Sequence, residues 1–190
     1  MLVGGLGREN RSANHNLLAR QASTDLLLFP DADCAMGVQA VRELAAQAAE
    51  GTAVVKCQHT VWLTQTATER LLRSSPGQRL RVTQADIMHQ NDYLPGLMYA
   101  MSRTVFGAIG GWDERFVGWG GEDRAVCCAA STLATLQWLP VTAYHLWHPP
   151  APGGKLNKRD PGFLRNCRLR DRYRAAEGNV EAMLRLVRSR

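Results

Sequence analysis

The chain has 190 residues, 45% of them hydrophobic, 21% charged and 7% aromatic, which excludes a disordered chain and leaves room for one compact domain rather than two. Its 23 Lys and Arg outnumber its 17 Asp and Glu, and the whole excess lies in residues 158–190, where the acids are Asp160, Asp171, Glu177 and Glu181. No apolar run approaches the roughly 20 residues that cross a bilayer, and Met1-Leu2-Val3-Gly4-Gly5 lacks the regions of a secretory signal, so a cytoplasmic protein is expected.

The basic tail can be a solvated Arg-rich helical surface, or it can attract anionic lipid, nucleic acid or a diphosphate. Only Phe163 and Tyr173 interleave with its arginines, which argues against a nucleic-acid stacking platform and leaves peripheral contact with an anionic membrane open. Cysteines stand at 34, 57, 127, 128 and 167, odd in number and without a Cys-x-x-Cys. Reduced, mostly buried thiols fit that pattern better than a disulfide framework or a thiolate zinc site.

In chain order, Asn14 to Ala22 reads as a helix. Leu26-Leu27-Leu28-Phe29 is a continuous apolar run of the kind found in a strand covered on both faces, and Pro30 leads into Asp31-Ala32-Asp33. The spacing of Val38, Val41, Leu44, Ala45 and Ala48 predicts a helix over 37–50 that Gly51 ends. Ala53 to Cys57 reads as the next strand, and this rhythm predicts an α/β domain with an at least partly parallel sheet. Thr64 to Ser74 reads as a helix and Ser75-Pro76-Gly77 as a turn, while residues 76–96 show little periodicity. Gly96 to Met101 predicts a strand, Arg103 to Ile109 a short helix, and another helix begins near Glu122. Leu136–Leu139 and Val141–His145 read as two short strands, and from Pro161 one or two helices carry Val180, Met183, Leu184 and Val187 on one face.

Three constellations carry chemistry. Asp31 and Asp33 follow the apolar strand, at the edge where open α/β sheets bind ligands, and two carboxylates on one tight loop can reach a single hard divalent cation. An isolated Asp-x-Asp is also a common loop. Gly110 to Asp123 holds five glycines and two tryptophans; Trp119, between Gly118 and Gly120, is poorly placed for a core and well suited to stack on a sugar ring. Glu122 and Asp123 fall in the first turn of the following helix, where they either cap it or offer a general base to a hydroxyl. His145-Leu146-Trp147-His148 follows a strand. Either histidine can be structural, or one can complete a coordination sphere begun by the aspartates; a spacing of three keeps both rings off a common strand face.

Taken in this order, Asp31-Ala32-Asp33, Gly118-Trp119-Gly120-Gly121-Glu122-Asp123 and His145 to His148, with Asn16 to Arg20 and Asp25 to Cys34, resemble the GT-A glycosyltransferases over about residues 10–150. The likeness is to family-2-like enzymes with a galactosyltransferase C-terminal region, a group that includes β-1,4-galactosyltransferases, polypeptide N-acetylgalactosaminyltransferases and chondroitin-type polymerases. It implies an α/β fold whose mixed sheet is flanked by helices, in a catalytic domain over 1–157 followed by a basic helical extension over 158–190. It further implies a metal-dependent, inverting transfer of a hexose or N-acetylhexosamine from a nucleotide-sugar, UDP-linked, to a hydroxyl of a glycan or lipid-linked acceptor. Asp31 and Asp33 match the motif that holds Mn2+ (or Mg2+) and the diphosphate, with Asp33 the direct ligand; His148 matches the downstream metal ligand and His145 a second one. Trp119, Gly120 and Gly121 match the loop between donor and acceptor, Glu122 the acid that binds acceptor, and Asp123 the base.

The chain departs from the pattern twice. Arg124 replaces a third acid, and only thirty residues precede Asp31, so the resemblance implies that the first β-α unit is missing. For such a short form the alternative role is a non-catalytic module that binds carbohydrate or a partner enzyme.

Overall fold

The computed structural model describes residues 10–74, 81–149 and 159–189. The turn expected at Ser75-Pro76-Gly77 lies outside them. The elements are α1 (Arg11–Gln21), β1 (Leu26–Pro30), β2 (Cys34–Met36), α2 (Val38–Ala49), β3 (Ala53–Leu63), α3 (Gln65–Leu72), β4 (Ile87–Asp92), β5 (Met98–Ser102), α4 (Arg103–Ala108), α5 (Glu122–Leu133), β6 (Thr135–His145), α6 (Pro161–Ala176) and α7 (Val180–Arg188). Side chains start several helices where the sequence provides them. Asn10, Thr64, Ser102, Asp160 and Asn179 each accept an N–H of the first turn, satisfying donors a helix cannot satisfy internally.

The strands form one mixed sheet in the order β1-β5-β3-β6-β2, with β4 also paired to β3. Among the described residues only β3 and β6 run parallel; the other pairings are antiparallel. The parallel component expected from the helix–strand rhythm is therefore this one central pair. The apolar run at 26–29 does carry residues on two covered faces. Leu27 and Phe29 enter the main core, while Leu26 and Leu28 pack on a second core under α2. Within the sheet, however, β1 is a terminal strand, bonded to β5 on one side.

Two expectations change in detail. Leu136–Leu139 and Val141–His145 belong to a single strand, because the β3–β6 register slips between Cys57 and His59 and so passes over Pro140, which has no N–H to give the ladder. Val38, expected on the apolar stripe of α2, is 58% exposed, since α2 buries chiefly Leu44 and Ala48. The aperiodic middle yields β4, a mostly exposed strand against β3.

The main core brings Phe29, Tyr99, Trp112, Phe116 and the small residues of α5 together with Tyr173, Met183 and Leu186 from α6 and α7. The change in charge at residue 158 is thus a change of surface, and the basic helices share the core of the preceding residues. Among the described residues no helix is long and apolar enough to cross a membrane.

Candidate active site

At the end of β1 the backbone is tied tightly. The Asp31 N–H donates to Leu97 O at 2.8 Å, Cys34 N–H donates to Asp31 O at 3.0 Å, and Leu146 N–H donates to Asp33 O at 2.8 Å. This last bond, with the Cys34–His145 pairing of β2 and β6, brings the end of β6 to the Asp-x-Asp loop. His145 Nε2 lies 3.4 Å and His148 Nε2 3.3 Å from Asp33 Oδ2. Both imidazoles converge because the chain leaves the sheet after His145; Trp147 N–H donates to Thr68 Oγ1 at 2.8 Å and fixes the path that returns His148. The strand-face argument, which left room for one histidine, fails at that departure.

The tautomers follow from the partners. Nδ1 of His145 is 2.9 Å from Leu146 O, and Nδ1 of His148 is 2.9 Å from Pro149 O. A carbonyl only accepts, so Nδ1 carries the proton and, in the neutral ring, Nε2 turns a lone pair toward Asp33. Two nitrogen lone pairs and a carboxylate oxygen within 4.8 Å of one another repel unless a cation or proton stands among them, and this donor set fits a divalent metal ion. Asp31 stands apart from that trio, with Oδ1 2.5 Å from Arg11 Nη2.

Arg11 is the site residue that sequence reasoning missed. Its other arm reaches Glu122 Oε1 at 3.1 Å, so one guanidinium bridges the Asp-x-Asp loop and the first turn of α5. The helix expected from the sequence began at Asn14 and left Arg11 outside; in the structure Arg11 stands in the first turn of α1, where the helix dipole disfavours a cation unless something outside the helix holds it.

Gly111 and Gly121 of the second constellation have a steric purpose. Gly121 caps α5 at φ 100°, and a Cβ there would meet Phe116 Cε1 at 2.9 Å and Arg170 Cβ at 3.2 Å. Glu122 is buried, and its Oε2 has no hydrogen-bond partner among the described residues. Burial pushes its carboxyl titration up, and the neighbouring Asp123 adds to the shift. Asp123 Oδ1 accepts from Tyr99 OH at 3.0 Å, and a Cβ on Gly96 would approach Asp123 Oδ2 to 3.0 Å. Trp119 is 64% exposed, as its setting between glycines suggested, and its ring lies 5.8 Å from that of Phe163 on α6. Asn166 donates to its carbonyl at 3.1 Å.

The site opens on one cleft of about 1000 Å³, bounded by Arg11, Asp31 and Asp33, by Trp62, His145 and His148, and by Trp119, Glu122, Asp123, Arg124, Phe163 and Arg170. Phe163 and Arg170 come from the basic helical segment, whose contribution to a cleft was not legible in its charge.

Residues 79–129 match the family model described as the N-terminal domain of galactosyltransferase. That segment contains Trp119, Glu122 and Asp123 but none of the Asp33–His145–His148 trio. The fold is similar to a crystal structure of GalNAc-T7 with UDP, GalNAc and Mn2+, at a TM-score of 0.56 and 16% identity, over 95% of this chain and 42% of that one. The chain thus spans less than half the length of that relative. No curated protein sequence matches it significantly. The segment 79–129 is thus similar to that galactosyltransferase model, and the fold is similar to that of GalNAc-T7.

Proposed function

We propose that the chain carries the catalytic core of a metal-dependent glycosyltransferase, moving a hexose or N-acetylhexosamine from a UDP-linked donor to a hydroxyl of a glycan or lipid-linked acceptor with inversion. The observation that supports this reading is the meeting of Asp33, His145 and His148 in the cleft that also holds Trp119, Glu122 and Asp123. Asp33 Oδ2 and the two Nε2 atoms would hold Mn2+ or Mg2+, which when bound neutralises the departing diphosphate as a Lewis acid. Arg11 adds a guanidinium whose planar fork suits phosphate oxygens. Trp119 and Phe163 offer aromatic faces to the apolar side of a sugar ring. The unpartnered Glu122 Oε2 accepts a hydrogen bond from the acceptor, and Asp123 takes the proton of the attacking hydroxyl. Attack from the side opposite the diphosphate inverts the anomeric carbon.

Titration of UDP with and without Mn2+, and turnover of UDP-galactose and UDP-N-acetylgalactosamine, test this reading alongside Asp33→Ala and Asp123→Asn. Mn2+-dependent UDP binding and donor turnover, both sensitive to the substitutions, are expected; equal activity in all three proteins overturns the role assignment. Saccharide binding indifferent to chelator, without UDP binding, indicates instead the non-catalytic carbohydrate-binding module. The exposed Arg165, Arg168, Arg172 and Arg174 of α6 would hold the protein at the cytoplasmic face of an anionic membrane, near lipid-linked acceptors. Salt-sensitive pelleting with phosphatidylserine vesicles is expected, and pelleting that survives replacement of these four arginines by Ser sinks the membrane role.

A further inference from the structure

Lys56 lies in the middle of β3 and is fully buried. Among the described residues it forms no ion pair, and burying an ammonium without a counter-charge is costly enough that a core position normally carries an apolar residue instead. Its three donors nevertheless have three acceptors. Nζ is 3.0 Å from Gly96 O, 2.9 Å from Met98 O, and 3.4 Å from the centroid of the Tyr99 ring. Two carbonyls and an aromatic face suit an ammonium, which donates three times and accepts nothing; a neutral amine would turn its lone pair on one of them.

Two of the three groups that Lys56 holds lead to one carboxylate. Gly96 is the residue whose Cα leaves room for Asp123 Oδ2, and Leu97 beside it has φ 81°, a conformation that needs support from its surroundings. Tyr99, 2% exposed, reaches Asp123 Oδ1 with its hydroxyl at 3.0 Å, and the same hydroxyl contacts Pro95 O. We infer that Lys56 is a positioning residue: from β3 it fixes the 96–98 backbone and the Tyr99 ring, so that Asp123 is held by Oδ1 and presents Oδ2 to the acceptor hydroxyl. This rests on the assignment of Asp123 as base in the proposed function.

The test uses Lys56→Met, Lys56→Gln, Tyr99→Phe and the Lys56→Gln/Tyr99→Phe double variant, with Mn2+-dependent hydrolysis of UDP-galactose and UDP-N-acetylgalactosamine as the readout. Lys56→Gln removes the charge and keeps an NH2 group with two donors, one bond shorter in reach and beside an added amide oxygen, so it carries the test if Lys56→Met does not fold. Each single variant is expected to lose about 100-fold in kcat, the size of loss a small misplacement of a catalytic group causes. KM and calorimetric Mn2+–UDP affinity should stay within about twofold, because the metal corner is untouched, and the double variant should lose little more than either single one. A parent that turns over donor, stops on Asp123→Asn and is indifferent to folded Lys56 variants overturns the positioning role alone; losses that add in the double variant, or that fall on KM, overturn it too. Turnover that persists in Asp123→Asn overturns the base assignment instead. If the parent turns over no donor, amide NMR replaces the assay. Shifts at Gly96, Met98 and Asp123 with Asp33 and His145 unmoved support the inference, and shifts confined to β3 overturn it.

Discussion

The cleft has two corners built in opposite ways. Asp33, His145 and His148 are carried by a loop and a strand end, and their side chains are between 22% and 53% exposed. They are oriented by local backbone carbonyls, and little of the core depends on them. Glu122 and Asp123 open a helix that forms the floor of the main core, reached by the buried Tyr99 and crowded by Phe116 and Gly121. The first corner is a set of lone pairs open to a partner from outside; the second is a carboxylate pair held by Arg11 and Tyr99, with Glu122 Oε2 left over among the described residues. Loss of function should therefore separate cleanly from loss of stability at the Asp33 corner and mix with it as substitutions go deeper behind Asp123.

The largest loss of turnover is expected at Asp123, the proposed base. Asp123→Asn should lower turnover by about 10²–10⁴-fold, the range for removing a general base, with Mn2+–UDP affinity retained by calorimetry. Asp33→Ala should weaken Mn2+ binding by at least about 100-fold, read by electron paramagnetic resonance, while thermal unfolding moves by no more than about 0.5 kcal/mol. If Asp33→Ala unfolds the protein, the two corners are not independent.

Behind the second corner, burial pushes the Asp113 carboxyl up, but hydrogen bonds from Arg115 and Tyr173 more than offset it and hold its titration below the usual range. A depressed folded-state value contributes stability that is present above about pH 4, the unfolded carboxylate range, and is lost as pH falls through the folded value. Asp113→Asn should therefore cost about 2 kcal/mol near neutral pH in denaturant titrations and flatten the acid side of the stability profile. A profile as steep as that of the parent breaks the argument. The smallest effect is expected at the exposed rim. Trp119→Ala should weaken saccharide binding about fivefold, near 1 kcal/mol, without moving the melting temperature.

Much of the site was legible because its residue types are expensive elsewhere. Two aspartates after a buried strand, a tryptophan among glycines, and acids at a helix start each point to a ligand before any contact is known. Arg11 was not legible, because a single arginine in a helical segment usually faces solvent; its role exists only through Asp31 and Glu122, which are distant in sequence. Lys56 was read only as part of a strand, and its burial depends on a cover that β5 and Tyr99 provide. Phe163 and Arg170 were hidden within a segment whose charge dominated its reading. The slip at Pro140 was also invisible, since a proline breaks a ladder only once its partner strand is known.

By itself the sequence determined most of the elements, β2 and β4 excepted, and the chemical inventory: local propensity and period-2 or period-3.6 patterning act over a few residues, and so do caps such as Asn10 and Ser102. The tertiary structure alone decided which of those groups meet. The bond from Leu146 to Asp33 and the exit of the chain from β6 bring two imidazoles onto one carboxylate, and the packing of α6 on α5 closes the cleft over Trp119. Such meetings are long-range, fixed by sheet order and core packing, and no window of neighbouring residues encodes them.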